Sequence, residues 1–99
     1  MDIDKLTVRE IERELAAIDG WMLCDGTAIA KTFTFRDFAQ AFAFMTECAL
    51  VAERFNHHPD WSNSYSRVEV TLTTHDRAGL TSKDFKLARA MDRVASRGN

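Results

Sequence analysis

Cysteine is scarce in this chain, and its two cysteines are widely separated. They are Cys24 and Cys48. Disulfide-stapled scaffolds and zinc fingers both need closely spaced sets of cysteines, so the sequence excludes these two classes. We expect both side chains to be reduced packing residues, Cys48 because it falls within an apolar helical pattern.

The chain also lacks an excess of charge of either sign. Its 99 residues include 13 Lys and Arg and 15 Asp and Glu, a formal net charge of −2, with the signs interspersed. A basic stripe is typical of nucleic-acid-binding proteins and a block of like charge is typical of tails, and neither occurs. The sequence therefore predicts no nucleic-acid partner.

Long hydrophobic runs and signal-like segments are missing as well. Residues 1–5 read Met-Asp-Ile-Asp-Lys, which lacks the basic and continuous apolar regions of a secretion signal. No later stretch approaches the length of a membrane span. We therefore expect a cytoplasmic protein without a membrane partner.

The bulk composition is that of an ordinary globular protein. The chain is 45% hydrophobic and 28% charged. Its length predicts one domain over residues 1–99, near the size at which a partner subunit adds useful stability.

The first third of the chain predicts a helix and a hairpin. Thr7 and Glu10 form a capping-box pattern, which favours a helix over about residues 8–18. Asp25-Gly26 is a dipeptide that readily forms a tight turn. The two predicted antiparallel strands beside it are residues 21–24 and 28–33.

A second helix is predicted from near Arg36 to about Arg54, because Thr34 and Asp37 stand three apart before an apolar run. It is apolar around most of its girth. One predicted stripe is Phe38, Ala41, Phe42, Met45, Ala49 and Ala52, and the other is Phe44, Cys48, Val51 and Phe55. One small sheet cannot cover such a helix, so we expect it to form a subunit interface; the alternative is a central helix wrapped by its own domain.

The last third predicts a strand and a helix. Residues 68–73 alternate strictly between apolar and polar, which is typical of a strand with one buried face, and residues 63–65 fit a shorter strand. Thr81 and Asp84 repeat the capping pattern before a helix that ends near residues 96–98. With no βαβ repetition, the predicted fold class is α+β: a two-layer sandwich with helices on one face of an antiparallel sheet.

All three histidines follow predicted elements. His57 and His58 come where the second helix must stop, since Pro59 cannot continue it, and His75 follows the predicted strand. An imidazole gives and takes protons near neutral pH, so three in one pocket would make an acid/base site. A lone loop histidine is more often a surface or capping residue, so this hypothesis requires that His75 meet the pair.

Three further side chains have both a functional and a structural interpretation. Glu53, one turn before His57, can orient an imidazole or simply be an exposed acid. Asp84 can cap the last helix or face the pocket, and Trp61 can wall a planar heterocycle or pack in the core.

A metal site is the competing use of the histidines. Three imidazoles and a carboxylate suit zinc, but adjacent histidines are a poor pair of ligands and the usual metal spacings are absent. We therefore predict no metal. Nucleophile and phosphate-loop motifs are also absent.

The chain resembles the pterin-4a-carbinolamine dehydratases, also known as dimerisation cofactors of a homeodomain transcription factor. The resemblance rests mainly on two segments, with Gly20-Trp21 and the aromatic run from Phe33 to Met45 in support. These segments are Glu53-x-x-x-His57-His58-Pro59-x-Trp61-x-Asn63-x-Tyr65 and Thr73-Thr74-His75-x-x-x-Gly79-Leu80-Thr81-x-x-Asp84.

This resemblance implies a fold, an assembly and a site. The fold is a four-stranded antiparallel sheet backed by three helices, assembled as dimers or tetramers. The implied catalytic residues are His57, His58 and His75. The implied substrate-binding or orienting residues are Glu53, Trp61, Thr73, Thr74 and Asp84.

The implied activity is that of a hydro-lyase, with a pterin as the substrate and no separate cofactor. It converts 4a-hydroxytetrahydropterin to the quinonoid dihydropterin, which implies a functional link to an aromatic amino acid hydroxylase. In our hypothesis His57 and His75 do the acid/base work, and His58 positions the leaving hydroxyl or shares the proton transfer. The alternative is a non-catalytic binding or assembly module that acts through the second helix.

Overall fold

The computed structural model describes residues 4–98. Two hairpins and three helices alternate along the chain. The elements are α1 Val8–Ala16, β1 Met22–Cys24, β2 Ala28–Thr34, α2 Phe38–Phe55, β3 Asp60–Ser64, β4 Arg67–Leu72 and α3 Ser82–Gly98, with a 3₁₀ turn at His75–Arg77. No helix of this described part is long and apolar enough to cross a membrane.

The four strands form one antiparallel sheet in the order β1-β2-β4-β3. Ile29 of β2 lies opposite Leu72 of β4, and Phe33 lies opposite Val68. Residues that face each other across two strands share a side of the sheet, so these four build one apolar face, and all four are buried. Glu69, on the other face of β4, is exposed. The alternating pattern of residues 68–73 therefore predicted the buried face correctly.

All three helices lie on that apolar face. Helices α2 and α3 pack against each other, and α2 also contacts β4. Lys31, on the buried side of β2, pairs with Asp92 of α3 at 2.8 Å, and Glu14 of α1 pairs with Arg89 of α3 at 2.6 Å. The predicted class is confirmed: an α+β fold with a four-stranded antiparallel sheet and three helices.

Helix α2 begins and ends within two residues of the predicted limits. Its N-cap is Asp37, whose side chain accepts the backbone N–H of Gln40 at 2.8 Å, so the helix starts at Phe38 rather than near Arg36. Thr34, the other half of the predicted cap, instead ends strand β2. The carboxylate of Asp37 satisfies a free N–H of the first turn, and this decides where the helix starts.

The second predicted stripe of α2 lies mostly in the core, whereas the first is divided, since its Ala41 and Ala52 are buried and its phenylalanines are not. Phe44, Cys48 and Val51, from the second predicted stripe, are buried in the core. In the first stripe, Phe38 and Phe42 remain 46% and 55% exposed. The helix therefore presents apolar surface to solvent in the single chain, so the interpretation of α2 as a fully wrapped central helix is wrong for these positions.

Two smaller boundaries differ from the predictions. Helix α1 ends at Ala16 rather than near Ile18, because its last bonds tighten to the i−3 carbonyl; Ile18 N–H donates to the carbonyl of Leu15. Strand β3 runs from Asp60 to Ser64 rather than over residues 63–65. Tyr65 has a φ of 57°, a left-handed conformation that belongs to the turn into β4.

Candidate active site

The end of α2 turns His57 into the protein. Asn56 adopts the left-handed conformation, with φ of 52°, and the backbone N–H of His57 donates back to the carbonyl of Ala52 at 3.1 Å. This is a common way for a helix to satisfy its last carbonyls. Pro59 then prevents any return to helix. As a result His57 is only 8% exposed, although it lies in an irregular segment.

The ring of His57 is held by a buried carboxylate. Its Nε2 lies 2.6 Å from Oδ1 of Asp84, which is completely buried. The other oxygen of Asp84, Oδ2, accepts the hydroxyl of Thr74 at 2.8 Å and the backbone N–H of Thr81 at 2.9 Å. A buried charge needs such compensation, and these contacts occupy both carboxylate oxygens.

Asp84 therefore has both of the positions considered for it from the sequence. It lies in the first turn of α3 and accepts the backbone N–H of Thr81, the residue before that helix, as the capping pattern predicted. It also contacts His57 across 27 residues of sequence. One side chain thus joins the start of α3 to the end of α2.

His75 pairs with a second carboxylate, which lies near His58 in the sequence. It directly follows the buried Thr74, and its Nε2 lies 3.3 Å from Oδ2 of Asp60. Asp60 is the first residue of β3, two positions after His58. The His75 side chain is 78% exposed, so its pairing with Asp60 is a surface contact.

The remaining histidine pairs with the helix-end acid. Nε2 of His58 lies 2.7 Å from Oε1 of Glu53, and both side chains are exposed. Glu53 therefore contacts the second imidazole of the pair, not the buried first one. The structure places the Glu53 carboxylate where it can orient His58.

Trp61 and Thr73 are the two remaining predicted site residues, and their contacts lie outside the hydrogen bonds of Asp84. Trp61, on β3, is half-buried and packs against the hydrophobic core. The hydroxyl of Thr73 donates to the backbone carbonyl of Thr27 at 2.6 Å, which fastens the end of β4 to the first hairpin turn. Of the two predicted threonines, only Thr74 contacts Asp84.

Two polar residues of this region were missed in the sequence. Thr81 had a visible signal, the capping pattern with Asp84, but was assigned to the helix alone. Asp60 gave no signal, because its contact with His75 spans 15 residues and depends on how β3 approaches the 3₁₀ turn.

Within the described residues, neither a metal-binding cluster nor the groove between α2 and α3 marks a different site. Among residues 4–98, no group of three or more His, Cys, Asp and Glu side chains is placed to hold a metal ion. The absence of a metal stays a prediction. A groove of about 640 Å³ between α2 and α3 is lined by none of the histidines, and its acids Glu47 and Asp92 are paired with Arg97 and Lys31.

Comparisons with known proteins agree with these observations. The sequence model of the family described as "Pterin 4 alpha carbinolamine dehydratase" matches residues 4–94. A protein of Rhizobium johnstonii, provisionally named a pterin-4-alpha-carbinolamine dehydratase, is 54% identical over 99 residues, which cover 99% of this chain and 98% of the relative.

Two solved structures share the fold. The crystal structure of a transcriptional coactivator/pterin dehydratase from Brucella melitensis has a TM-score of 0.90 at 48% identity, covering 93% of this chain and 99% of that one. A pterin dehydratase-like protein identified as a RuBisCO assembly factor in the alpha-carboxysome has a TM-score of 0.67 at 24% identity, covering 77% and 89%. This second likeness concerns the fold alone. The family model and the Rhizobium relative together show that the chain belongs to the pterin-4-alpha-carbinolamine dehydratase family.

Proposed function

We propose that this chain is a hydro-lyase that dehydrates a 4a-hydroxytetrahydropterin to the quinonoid dihydropterin. The observation that carries the proposal is the buried imidazole of His57, held at 2.6 Å by the fully buried carboxylate of Asp84. Burying an ionisable pair is costly, and such pairs cluster at functional sites. Family membership supports a pterin as the substrate.

The reaction requires two proton movements. One proton must reach the departing 4a-hydroxyl, and another must leave the ring nitrogen next to that carbon. His57 and His75 carry these protons in our proposal, and His58, paired with Glu53 at 2.7 Å, positions the leaving hydroxyl. Because the step is a proton exchange, we propose that it proceeds without a metal and that the pterin is the substrate rather than a cofactor.

The surrounding residues supply binding and position. We propose that the exposed part of the half-buried Trp61 indole forms a flat apolar wall for a planar bicyclic ring. Thr73 and Thr74 are proposed to orient the substrate or the site. We further propose that the pterin comes from an aromatic amino acid hydroxylase and that the protein works in the cytoplasm.

A stopped-flow assay of carbinolamine dehydration tests the activity. We expect His57→Ala and His75→Ala each to lower the rate constant about 10²-fold to 10⁴-fold, the usual contribution of positioned proton transfer. The matched control is Glu69→Gln, because Glu69 is exposed on the open face of the sheet. Both histidine variants must keep the wild-type circular dichroism spectrum. Near-wild-type rates in both variants would overturn the proposal.

A second candidate function is a protein-binding or assembly module that acts through α2. The observation in its favour is the exposed apolar surface on that helix. Phe38, Phe42 and Leu50 are 46%, 55% and 61% exposed. Exposed apolar surface of this kind is typical of protein interfaces. We propose that it mediates self-association into a dimer or tetramer, whether or not the chain is an enzyme.

Two variants separate the candidates. Phe42→Glu places a charge on the apolar surface of α2 and is expected to lower the mass measured by size exclusion without removing the dehydratase site. His57→Ala is expected to remove activity and leave the mass unchanged. A wild-type protein that lacks dehydratase activity yet associates through α2 would favour the assembly module.

A further inference from the structure

The four buried polar side chains of the described part of the chain belong to one hydrogen-bonded network. His57 and Thr74 are 8% and 5% exposed, and Thr81 and Asp84 are completely buried. Thr81 and Thr74 meet through their hydroxyl oxygens at 2.8 Å, Thr74 contacts Asp84, and Asp84 contacts His57. The network thus runs from the start of α3 to the end of α2.

The carboxyl group of Asp84 decides which way the protons of the two threonine hydroxyls point. Its Oδ2 accepts both the backbone N–H of Thr81 and the hydroxyl proton of Thr74. Because Thr74 has only this one hydroxyl proton, it accepts from Thr81, whose proton is directed to Thr74. The N–H of Lys83 donates to the Thr81 oxygen at 3.2 Å, which fills one of its lone pairs.

Asp84 is consequently an acceptor at Oδ2, and two hydrogen bonds donated to that one oxygen favour the ionised carboxylate, which can only accept. Oδ1 then requires a donor, and the group 2.6 Å away is Nε2 of His57. In a neutral imidazole one nitrogen donates and the other accepts. A donating Nε2 therefore leaves Nδ1 as the accepting nitrogen.

We propose that Thr74 and Thr81 are positioning residues that hold Asp84 as an acceptor and thereby fix neutral His57 as the tautomer protonated at Nε2. Nδ1 is then the atom of His57 that takes a proton from the pterin, and Asp84 stabilises the charged ring that results. The catalytic role assigned to Nδ1 rests on the proposed dehydratase function. Thr74 acts here through Asp84 and not by contact with substrate.

Nitrogen-15 NMR of the imidazoles tests the tautomer directly in the wild-type protein. Neutral His57 is expected to show a protonated, pyrrole-type Nε2 and an unprotonated, pyridine-type Nδ1. The spectrum is recorded at a pH high enough for the His57 ring to be neutral. A spectrum with the proton on Nδ1 overturns the inference whatever the variants do.

Substitution at Thr74 tests the positioning role. Thr74→Val removes the hydroxyl while keeping the shape of the side chain. We expect kcat to fall about tenfold, the equivalent of about 1.4 kcal/mol, with KM changed less than about twofold, and the His57 signals to report mixed tautomers. Thr74→Ser should restore both readouts, because it restores the donor.

Variants of Thr81 provide a second test of the positioning role, and a variant of a surface threonine provides the control. If Thr74→Val does not fold, Thr81→Ala, which removes the distant hydroxyl together with a buried methyl group, is expected to give the same changes in weaker form. Thr81→Ser, which restores the hydroxyl without the methyl group, should then restore both readouts. Thr32→Val, on an exposed strand position, is the control and should change neither kcat nor the tautomer. A wild-type tautomer and kcat in both Thr74→Val and Thr81→Ala would refute the positioning role.

Failure of the tautomer assignment can be distinguished from failure of the proposed dehydratase function. If His57→Ala retained full dehydratase activity while wild-type His57 was protonated at Nε2, the function would be wrong and the tautomer assignment correct. The reverse pattern, an inactive His57→Ala with the proton on Nδ1, would sustain the function and refute the inference.

Discussion

The carboxylate of Asp84 is hydrogen-bonded to three parts of the chain, through His57, Thr74 and Thr81, so it is hard to replace. In Asp84→Asn one oxygen becomes an amide that donates where a donor already points. We expect the dehydration rate to fall about 10²-fold or more, because His57 loses its orienting carboxylate. The free energy of unfolding should fall by about 1–3 kcal/mol for the mismatched buried group. Stopped-flow kinetics and urea titration measure the two effects.

Asp25→Asn is the matched control for that change. Asp25 is exposed in the turn between β1 and β2 and has a φ of 53°, which asparagine tolerates well. Both activity and stability should be unchanged. An equal loss in the two variants would mean that Asp84 has no special role.

The two cysteines differ sharply in environment. Burial raises the pKa of the Cys48 thiol to about 12, with the charge of Glu47 adding to the effect, and Cys24 is only half-buried on β1. The thiolate is the reactive form, so a disulfide reagent at neutral pH should label Cys24 in the folded protein and Cys48 only after unfolding. The Cys24→Ser variant should show no fast labelling; rapid labelling there would contradict the burial.

The raised pKa of Cys48 also predicts a loss of stability in alkali. The folded pKa of about 12 lies above the ordinary value of 9.0, so the neutral buried thiol contributes fully below about pH 9. That contribution is lost as the pH rises from about 9 towards 12. Urea unfolding across this range should show a smaller alkaline loss in Cys48→Ala than in the wild type. Parallel pH curves for the two proteins would contradict the prediction.

At the scale of elements, the C-terminus of α2 decides where His57 lies. Asn56 has a φ of 52°, which asparagine and glycine adopt readily and β-branched residues do not. Asn56→Gly should therefore keep wild-type stability, whereas Asn56→Val should lower the free energy of unfolding by about 1–2 kcal/mol. Urea titration measures this. Equal stability of the two variants would show that the helix end adapts freely.

The ends of single elements were visible in the sequence, but the contact between two such ends was not. The stop of α2 was visible in Pro59, and the start of α3 in Thr81 and Asp84. The meeting of these two ends was not, because His57 and Asp84 lie 27 residues apart. Local spacing reports contacts within a few residues only, and the β3–β4 hairpin between them sets the distance.

At the scale of the whole molecule, the exposed apolar face of α2 predicts that stability depends on concentration. If two copies bury Phe38, Phe42 and Leu50 together, mass action stabilises the assembly over the unfolded chain, and the melting temperature should rise with protein concentration. In Phe42→Glu the melting temperature should be lower and independent of concentration. Thermal unfolding over a hundredfold dilution range measures both.

Val8→Glu is the control for an acid replacing an exposed apolar side chain. Val8 is 74% exposed in the first turn of α1, where a negative charge is well tolerated. Its melting temperature should keep the wild-type dependence on concentration. A wild-type protein whose melting temperature does not change on dilution would rule out self-association in that range.

The sequence alone determined the class of fold, the element order and the candidate residues, because each of these follows from short-range patterns. Period-two and helical spacing, caps at Thr7 and Thr81, the turn at Asp25-Gly26 and the stop at Pro59 act within a few residues. Motif resemblance then indicated the family, which the comparisons confirmed.

Only the tertiary structure decided how the polar residues pair. It joined Asp84 to His57 rather than leaving it a helix cap alone, gave Glu53 to His58, brought Asp60 to His75 and used Thr73 to hold a turn. Each pairing depends on where separate elements end relative to one another in the packed protein. Burial of the apolar faces sets those positions, and no local pattern records it.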